Sequence, residues 1–190
     1  MSLQTWQETI VQSVTDGPTL TAAARASCIP TANRVVLPNN YFYVARTLKI
    51  SMSGRISSLI TTPGTARFDV CLGAAGTTII FDSLAILLDT VAAHTTVAWF
   101  LELELICRAV GATTLTTFFP GKALWTCEDI LGVPAIAPKG VLSAVLPWNT
   151  APAVGAGMDN TAASALDVFF TQTVATGSLT VHNYRVDVLN

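Results

Sequence analysis

Hydrophobic and polar residues alternate with a period of two along much of this chain. The longest case runs from Val97 to Arg108, with Glu102, Glu104 and Arg108 on the polar side. This alternation predicts an antiparallel β-strand that buries one face and exposes the other. The residues predicted to face inward are Val97, Trp99, Leu101, Leu103, Leu105 and Cys107.

Two shorter segments show the same alternation. In the segment 44–52 the predicted inward residues are Val44, Leu48, Ile50 and Met52. In the segment 67–72 they are Phe68, Val70 and Leu72, with Arg67 and Asp69 facing outward. Both segments therefore predict half-buried strands.

Segments rich in Val, Leu and Thr, separated by turn-forming residues, predict the remaining strands. These are Thr5–Val11, Arg34–Leu37, Arg55–Thr61, Thr77–Phe81, Thr113–Phe119, Leu124–Cys127, Val141–Val145, Ala165–Thr171 and Leu179–Leu189. The predicted turns are Pro38–Asn40, Thr62–Gly64, Gly73–Gly76, Pro120–Gly121 and Thr176–Gly177. About ten short strands at this spacing predict an all-β antiparallel fold, either a sandwich or a barrel.

Two segments depart from the alternating pattern. Residues 83–88 predict a helical turn or a buried strand. Residues 128–158 are rich in Pro, Gly and Ala and predict long surface loops around one short strand. With no internal repeat and no low-complexity linker, we expect residues 1–190 to form a single domain.

The final predicted strand has apolar residues at both alternating positions. Leu179, Val181 and Leu189 lie at odd-numbered positions, which face one side of a regular strand. Tyr184, Val186 and Val188 lie at even-numbered positions, which face the other side. Such a strand is either covered on both faces or changes face at a bulge, here near Asn183. Because chain ends fray unless something holds them, we expect this strand to lie centrally in a sheet or against a neighbouring subunit.

Composition argues for a surface covered by partners. Hydrophobic residues make up 51% of the chain and charged residues 12%, against about 25% charged in a typical domain. The net charge is −2 and basic residues are scattered singly, so we expect no nucleic-acid binding. The apolar stretches fall short of the roughly 20 residues that a membrane helix needs, and the N-terminus does not resemble a secretion signal.

The sequence offers little for catalysis, and we expect no enzyme activity, metal or cofactor. Glu102 and Glu104 would share a face, as a glycosidase pair or a metal site requires, but a solvated face paired with Arg108 or a cross-strand Lys is the favoured interpretation. His94 and His182 would each need a nucleophile nearby. The four cysteines form no CxxC pair, and we expect reduced thiols that pack as small hydrophobic groups.

The aromatic residues give the candidate interface. Trp99 and Trp125 are predicted to be core residues, and Trp148, in the loop-rich region, is predicted to be exposed. A sugar-binding site would combine Trp148 with a carboxylate such as Asp159. The residues that we expect at a subunit interface or sheet contact are Trp6, Trp148, His182 and Tyr184.

Eight short motifs follow one another in an order that resembles a group of small proteins encoded in the structural modules of tailed bacteriophages. The resemblance covers nearly the whole chain. Its motifs are Trp6-Gln-Glu-Thr9, Leu37-Pro-Asn-Asn-Tyr-Phe-Tyr43, Ser53-Gly-Arg-Ile-Ser57, Thr61-Thr-Pro-Gly-Thr65, Leu105-Ile-Cys-Arg-Ala-Val-Gly111, Trp125-Thr-Cys-Glu128, Pro152-Ala-Val-Gly-Ala-Gly-Met-Asp159 and the strand from Leu179 to Asn190.

The resemblance implies a jelly-roll-like sandwich and a structural role in a virion, with no catalytic residues. We expect a capsid decoration (minor capsid) protein that is assembled in the cytoplasm of the host bacterium. It would bind the major capsid protein or another virion protein as a homo-oligomer, a trimer, because closed symmetric assembly is common. A tail, baseplate or fibre component and a carbohydrate-binding module for host attachment are the alternatives.

Overall fold

The computed structural model describes residues 6–59, 61–73, 77–131 and 141–189. The strands are β1 (Gln7–Gln12), β2 (Arg25–Ser27), β3 (Val36–Leu37), β4 (Thr47–Ser58), β5 (Thr65–Leu72), β6 (Thr78–Asp82), β7 (Ile86–Leu87), β8 (His94–Ala109), β9 (Thr117–Leu131), β10 (Val141–Val145), β11 (Ser164–Ala165), β12 (Asp167–Gln172) and β13 (Ser178–Leu189). A short 3-10 helix spans Thr31–Asn33. Within the described residues no helix is long and apolar enough to cross a membrane.

The strands form two main antiparallel sheets. The larger has the order β1-β13-β4-β8-β9-β10, and the smaller has the order β2-β12-β5-β6, with β7 also paired with β5. Strands β3 and β11 form a separate two-stranded ladder. The strand orders β1-β13-β4-β8 and β2-β12-β5-β6 are those of the two sheets of a jelly roll. The predicted all-β, jelly-roll-like sandwich is confirmed, and the β9–β10 pair extends its larger sheet.

Aromatic side chains join the two sheets in the core. Phe68 of β5 packs against Trp99 of β8 and Trp125 of β9, with ring centroids 5.4 and 5.1 Å away, and against Phe170 of β12 at 5.1 Å. Trp99 and Trp125 are fully buried, as predicted. Large buried aromatic rings contribute much of the hydrophobic stabilisation of such a core.

The long central strands confirm the predicted faces with one exception. Along β8, Trp99, Leu101, Leu103, Leu105 and Cys107 are buried, and along β4 so are Leu48, Ile50 and Met52. Val44 was wrongly predicted to face inward: it precedes the first residue of β4 and is 56% exposed.

Two pairs of predicted strands each share one continuous strand, the segments 44–52 and 55–61 on β4 and the segments 113–119 and 124–127 on β9. The segments 44–52 and 55–61 fall largely on β4, which runs through Gly54. A Cβ at Gly54 would lie 1.9 Å from the Thr180 carbonyl oxygen, so only glycine lets β13 approach this closely.

Pro120–Gly121 is not the predicted turn but an interior part of β9. Leu105 faces Pro120 and Glu104 faces Lys122, so Gly121 is an extra residue in the ladder. This bulge accommodates Pro120, which has no N–H to donate.

Strand β13 confirms both parts of the prediction for the final segment. It lies between β1 and β4, and its register shifts between Val181 and Asn183. Leu179 and Val181 are buried before this bulge, and Tyr184, Val186 and Val188 after it. Because the bulge adds one residue, the side chains that point into the core are odd-numbered before it and even-numbered after it. This explains why β13 has apolar residues at both sets of positions.

The irregular segments follow the predictions in part. Within 83–88 the structure has a buried short strand, β7, and not a helical turn. In the region 128–158, β9 extends to Leu131 and β10 is the short strand, while residues 132–140 lie outside the described residues. Most of the predicted turn Gly73–Gly76 also lies outside them.

Candidate functional site

The acidic pair on β8 forms a cross-strand ion pair, in line with the favoured interpretation. Lys122 of β9 donates to a carboxylate oxygen of Glu102 and lies directly opposite Glu104 in register. The hydrogen bond and charge of Lys122 lower the pKa of Glu102 below its ordinary value. The pair lies on the outer face of the larger sheet, where such pairs contribute about 1 kcal/mol or less.

His94 forms a buried pair with an aspartate. Its Nε2 lies 2.9 Å from Oδ2 of Asp89, whose carboxylate also accepts hydrogen bonds from the backbone N–H groups of Val91 and Ala92. Ser58 faces His94 in register, but it is only 1% exposed. A hydroxyl group at this depth cannot reach a substrate. The hydrogen bonds of Asp89 to His94, Val91 and Ala92 instead stabilise the turn before β8.

The carboxylate of Asp89 makes stability depend on pH. Burial acts to raise its pKa, but the hydrogen bonds from His94, Val91 and Ala92 outweigh burial and the pKa lies below its ordinary value. The resulting stabilisation is fully present above the pKa of about 4 of an unfolded Asp and is lost as pH falls through the lower folded-state pKa.

We therefore expect Asp89→Asn to lower the stability at pH 7 by about 1–2 kcal/mol. The difference from the unsubstituted protein should shrink towards pH 3, because a protonated Asp resembles an Asn. Thermal unfolding followed by circular dichroism at several pH values measures this difference, with the exposed Glu128→Gln as the control. A difference that stays constant with pH would contradict the assignment.

The predicted interface residues are not brought together on one surface. Trp6 is 52% exposed beside β1. Trp148 is not the exposed aromatic that was predicted: it is half-buried and packs against the core, and its backbone N–H donates to the Ser83 carbonyl oxygen at 2.8 Å. No hydrogen bond joins Trp148 to Asp159 among the described residues, and the Asp159 carboxylate instead accepts from Thr161.

His182 and Tyr184 lie in different environments on either side of the bulge. His182 is half-buried, with its Nδ1 2.8 Å from Oδ1 of Asp16. Tyr184 is fully buried in the core, and burial raises the pKa of its hydroxyl. Tyr184 is therefore not available to a neighbouring subunit, because the bulge turns it inward.

The outer face of the smaller sheet has a buried charge cluster that the sequence did not indicate. Asp69 lies on the predicted outer face of β5 but is 0% exposed. Arg25 donates from Nε to its Oδ2 at 3.0 Å, and the guanidinium carbon lies 3.6 Å from the ring centroid of Phe169. Arg25 thus covers the carboxylate from solvent, and this hydrogen bond raises the pKa of Arg25.

The cysteines within and near this cluster are unreactive. All four are free and buried, as predicted. Cys71 accepts from Arg25 at 2.9 Å, and burial raises the pKa of its thiol to about 12. Burial likewise raises the pKa of Cys28. Nucleophilic thiols have lowered pKa values, so the burial and raised pKa values of Cys28 and Cys71 disfavour reaction.

The outer face of the larger sheet has a groove of about 370 Å³ around an exposed aromatic residue, Phe100. Phe100 of β8 is 57% exposed. Sequence reasoning missed it, although a signal was present. Phe100 precedes Glu102 by two residues, so both side chains point to the outer face of the sheet.

One end of the sandwich has a group of exposed apolar side chains, which we name the apolar end. Strand β4 begins there, β8 ends there and β9 begins there, since these neighbours are antiparallel. The apolar end consists of Tyr43 (46% exposed), Val44 (56%), Val110 (41%) and Leu115 (62%).

Hydrogen bonds to one buried side chain organise the loops of the apolar end. The Asn160 side chain accepts from the Phe42 N–H at 3.1 Å and donates to the Phe42 carbonyl oxygen at 3.0 Å. Its backbone N–H donates to Gly111, and its carbonyl oxygen accepts from Asn40. Arg46 lies 4.0 Å from the ring centroid of Tyr41 and 5.1 Å from that of Tyr43. The loops are therefore held in one arrangement.

Neither metal ligation nor similarity to known proteins adds to this description. Within the described ranges, no group of three or more His, Cys, Asp and Glu side chains could hold a metal ion. No protein-family model matches the chain, and comparisons with curated proteins and with solved structures find no significant match. The function must therefore be argued from the surfaces described above.

Proposed function

We propose that this protein is a structural component of a tailed-bacteriophage virion, a capsid decoration protein that binds the outer shell as a homotrimer. The apolar end is the observation on which the proposal rests. It exposes four large apolar residues on a chain with only 12% charged residues. Exposed apolar side chains grouped at one end of a domain are typical of a protein–protein contact.

The composition and rigidity of the apolar end suit such a contact. Tyr and Arg are enriched at the centres of protein interfaces, and here the Arg46 guanidinium lies over the rings of Tyr41 and Tyr43. The hydrogen bonds of Asn160 hold the loops before any partner arrives, which lowers the entropy cost of association.

The motifs that resemble phage structural proteins also support this assignment. Residues 37–43 and 105–111 contain two of the four residues of the apolar end, Tyr43 and Val110. Residues 152–159 reach the same end, where Met158 bridges to Thr116. The jelly-roll wiring is compatible with this role but also occurs in lectins and enzymes, so it does not decide among functions.

A bound decoration protein would act by mass action. Because it binds the assembled shell and not the free subunits, its binding free energy favours the closed particle. A compact tail or baseplate protein remains the alternative, and the position of the chain in the particle distinguishes the two.

Cryo-electron microscopy of the virion tests this proposal. We expect density for the chain at symmetry-related positions on the outer shell. Virions grown with Leu115→Asp should lose most of that density, because a buried unpaired carboxylate opposes the contact. Val14→Asp is the matched control, since Val14 is 91% exposed and lies beside β13, away from the apolar end.

Two outcomes would contradict the proposal. Density confined to the tail would reject the capsid position. Full shell density with Leu115→Asp, together with unchanged thermal unfolding of that variant, would show that the apolar end is not the contact surface.

A further inference from the structure

The groove on the outer face of the larger sheet is separate from the apolar end on which the proposed virion role rests. Its centre is the Phe100 ring, and a second depression of about 250 Å³ adjoins the same ring. The groove is lined by the side chains of Ser51, Ser53, Glu102, Thr126, Asn183 and Arg185, among others.

The strand register places a row of small polar side chains on both sides of Phe100. Asn183, Ser53, Phe100, Thr126 and Ser143 are direct partners across β13, β4, β8, β9 and β10. Four inter-strand spacings of about 4.8 Å give the row a length of about 19 Å. The row is long enough for several units of an extended chain.

The polar groups of the row suit hydroxyl ligands. Gln12 donates to Oδ1 of Asn183 at 2.8 Å, which leaves the Asn183 NH₂ group as a donor. The hydroxyl groups of Ser51 and Ser53 can both donate and accept. The apolar face of a pyranose ring can lie on the Phe100 ring while these groups bind its hydroxyls, the combination of an apolar surface and a few polar groups found in ligand sites.

Charge distinguishes this ligand class from a nucleic acid. Single-stranded nucleic acids also stack on aromatic rings, but they require a positively charged groove. Here Lys122 is paired with Glu102, and Arg185 with Asp187. Glu128 adds a carboxylate beside Phe100. The groove therefore has no net positive charge to attract phosphates.

Composition distinguishes the groove from a protein contact. Protein interfaces are depleted in Ser at their centres, and the row offers one aromatic ring among four small polar residues. The apolar end has the opposite composition. We propose that the groove around Phe100 binds a neutral oligosaccharide chain.

Isothermal titration calorimetry with neutral hexasaccharides tests the proposal. The probes are the β-1,4-linked hexamers of glucose, xylose, mannose and N-acetylglucosamine. We expect at least one to bind the full chain, Phe100→Ala to weaken it about tenfold or more, and Phe100→Trp to retain it. Asn183→Ala should weaken the same ligand, and Leu115→Ala, at the apolar end, should leave it unchanged.

Three results would overturn the proposal. One is that no hexamer binds at millimolar concentration, and another is that Phe100→Ala binds as well as the unsubstituted protein. The third is that Phe100→Ala lowers the molar mass measured by light scattering, because the groove would then be a contact between protein chains. Thermal unfolding of each variant ensures that a loss of binding does not reflect a loss of fold, and Asn183→Ala provides a second variant at an exposed position.

Discussion

A protein that lacks residues 184–190 is expected not to fold. The deletion removes the second half of β13, which pairs with β1 on one side and β4 on the other. It also removes Tyr184, Val186 and Val188, all 0% exposed. Truncating one buried residue of this size costs about 2–5 kcal/mol, and a domain is stable by only about 5–15 kcal/mol. The free-energy cost of losing three such residues, together with the backbone hydrogen bonds to β1 and β4, exceeds that stability.

Soluble expression and circular dichroism measure this effect. The truncated chain should be insoluble or show no cooperative thermal transition. The control is Asn183→Ala, one residue before the deletion and exposed, which should change stability by about 0.5 kcal/mol or less. A truncated protein that melts cooperatively near the temperature of the intact chain would show that the strand is dispensable.

Asp69→Asn is expected to destabilise the protein by about 3 kcal/mol, because it removes the charge of a fully buried carboxylate that accepts hydrogen bonds from Arg25. The substitution keeps the shape of the side chain but leaves the Arg25 guanidinium beside a neutral amide. Arg25 is held in place by the Phe169 ring, which limits its movement into solvent. For a chain of this size, the loss corresponds to a fall of about 6–12 °C in the melting temperature.

Urea or thermal unfolding gives the size of this loss, and Glu102→Gln provides the comparison. Glu102 also pairs with a basic residue, but its side chain is 47% exposed, against 0% for Asp69. We expect a loss of about 1 kcal/mol or less for this exposed pair. Equal losses for the two variants would mean that burial does not strengthen the Arg25–Asp69 pair.

The local pattern of the sequence was enough to predict the class of fold and several of its elements. Alternation along β8 identified the buried side of the strand, because strand geometry sends successive side chains to opposite faces. The apolar residues on both sides of β13 predicted either a strand covered on both faces or a bulge near Asn183, and the register shift lies between Val181 and Asn183. Both features depend on neighbours along the chain, which a sequence displays directly.

Features that depend on pairing between distant strands could not be predicted in this way. Pro120–Gly121 has the composition of a turn, yet the ladder with β8 makes it a bulge inside β9. Asp69 looked like a solvated residue until Arg25, 44 residues away, was placed over it. Tyr184 looked available to a partner until the bulge turned it into the core.

The candidate surfaces also combine features that the sequence displays with features that depend on the tertiary structure. The parity of Phe100 and the low charge of the chain were present in the sequence, but neither shows what surrounds a residue. The row around Phe100 joins five strands, and the apolar end joins loops from residues 43, 110 and 115. The sequence by itself determined the all-β class and the buried faces of the longest strands, because these follow from local periodicity. Only the tertiary structure decided which exposed residues form a surface, because cross-strand register and loop packing bring together residues that are far apart in the chain.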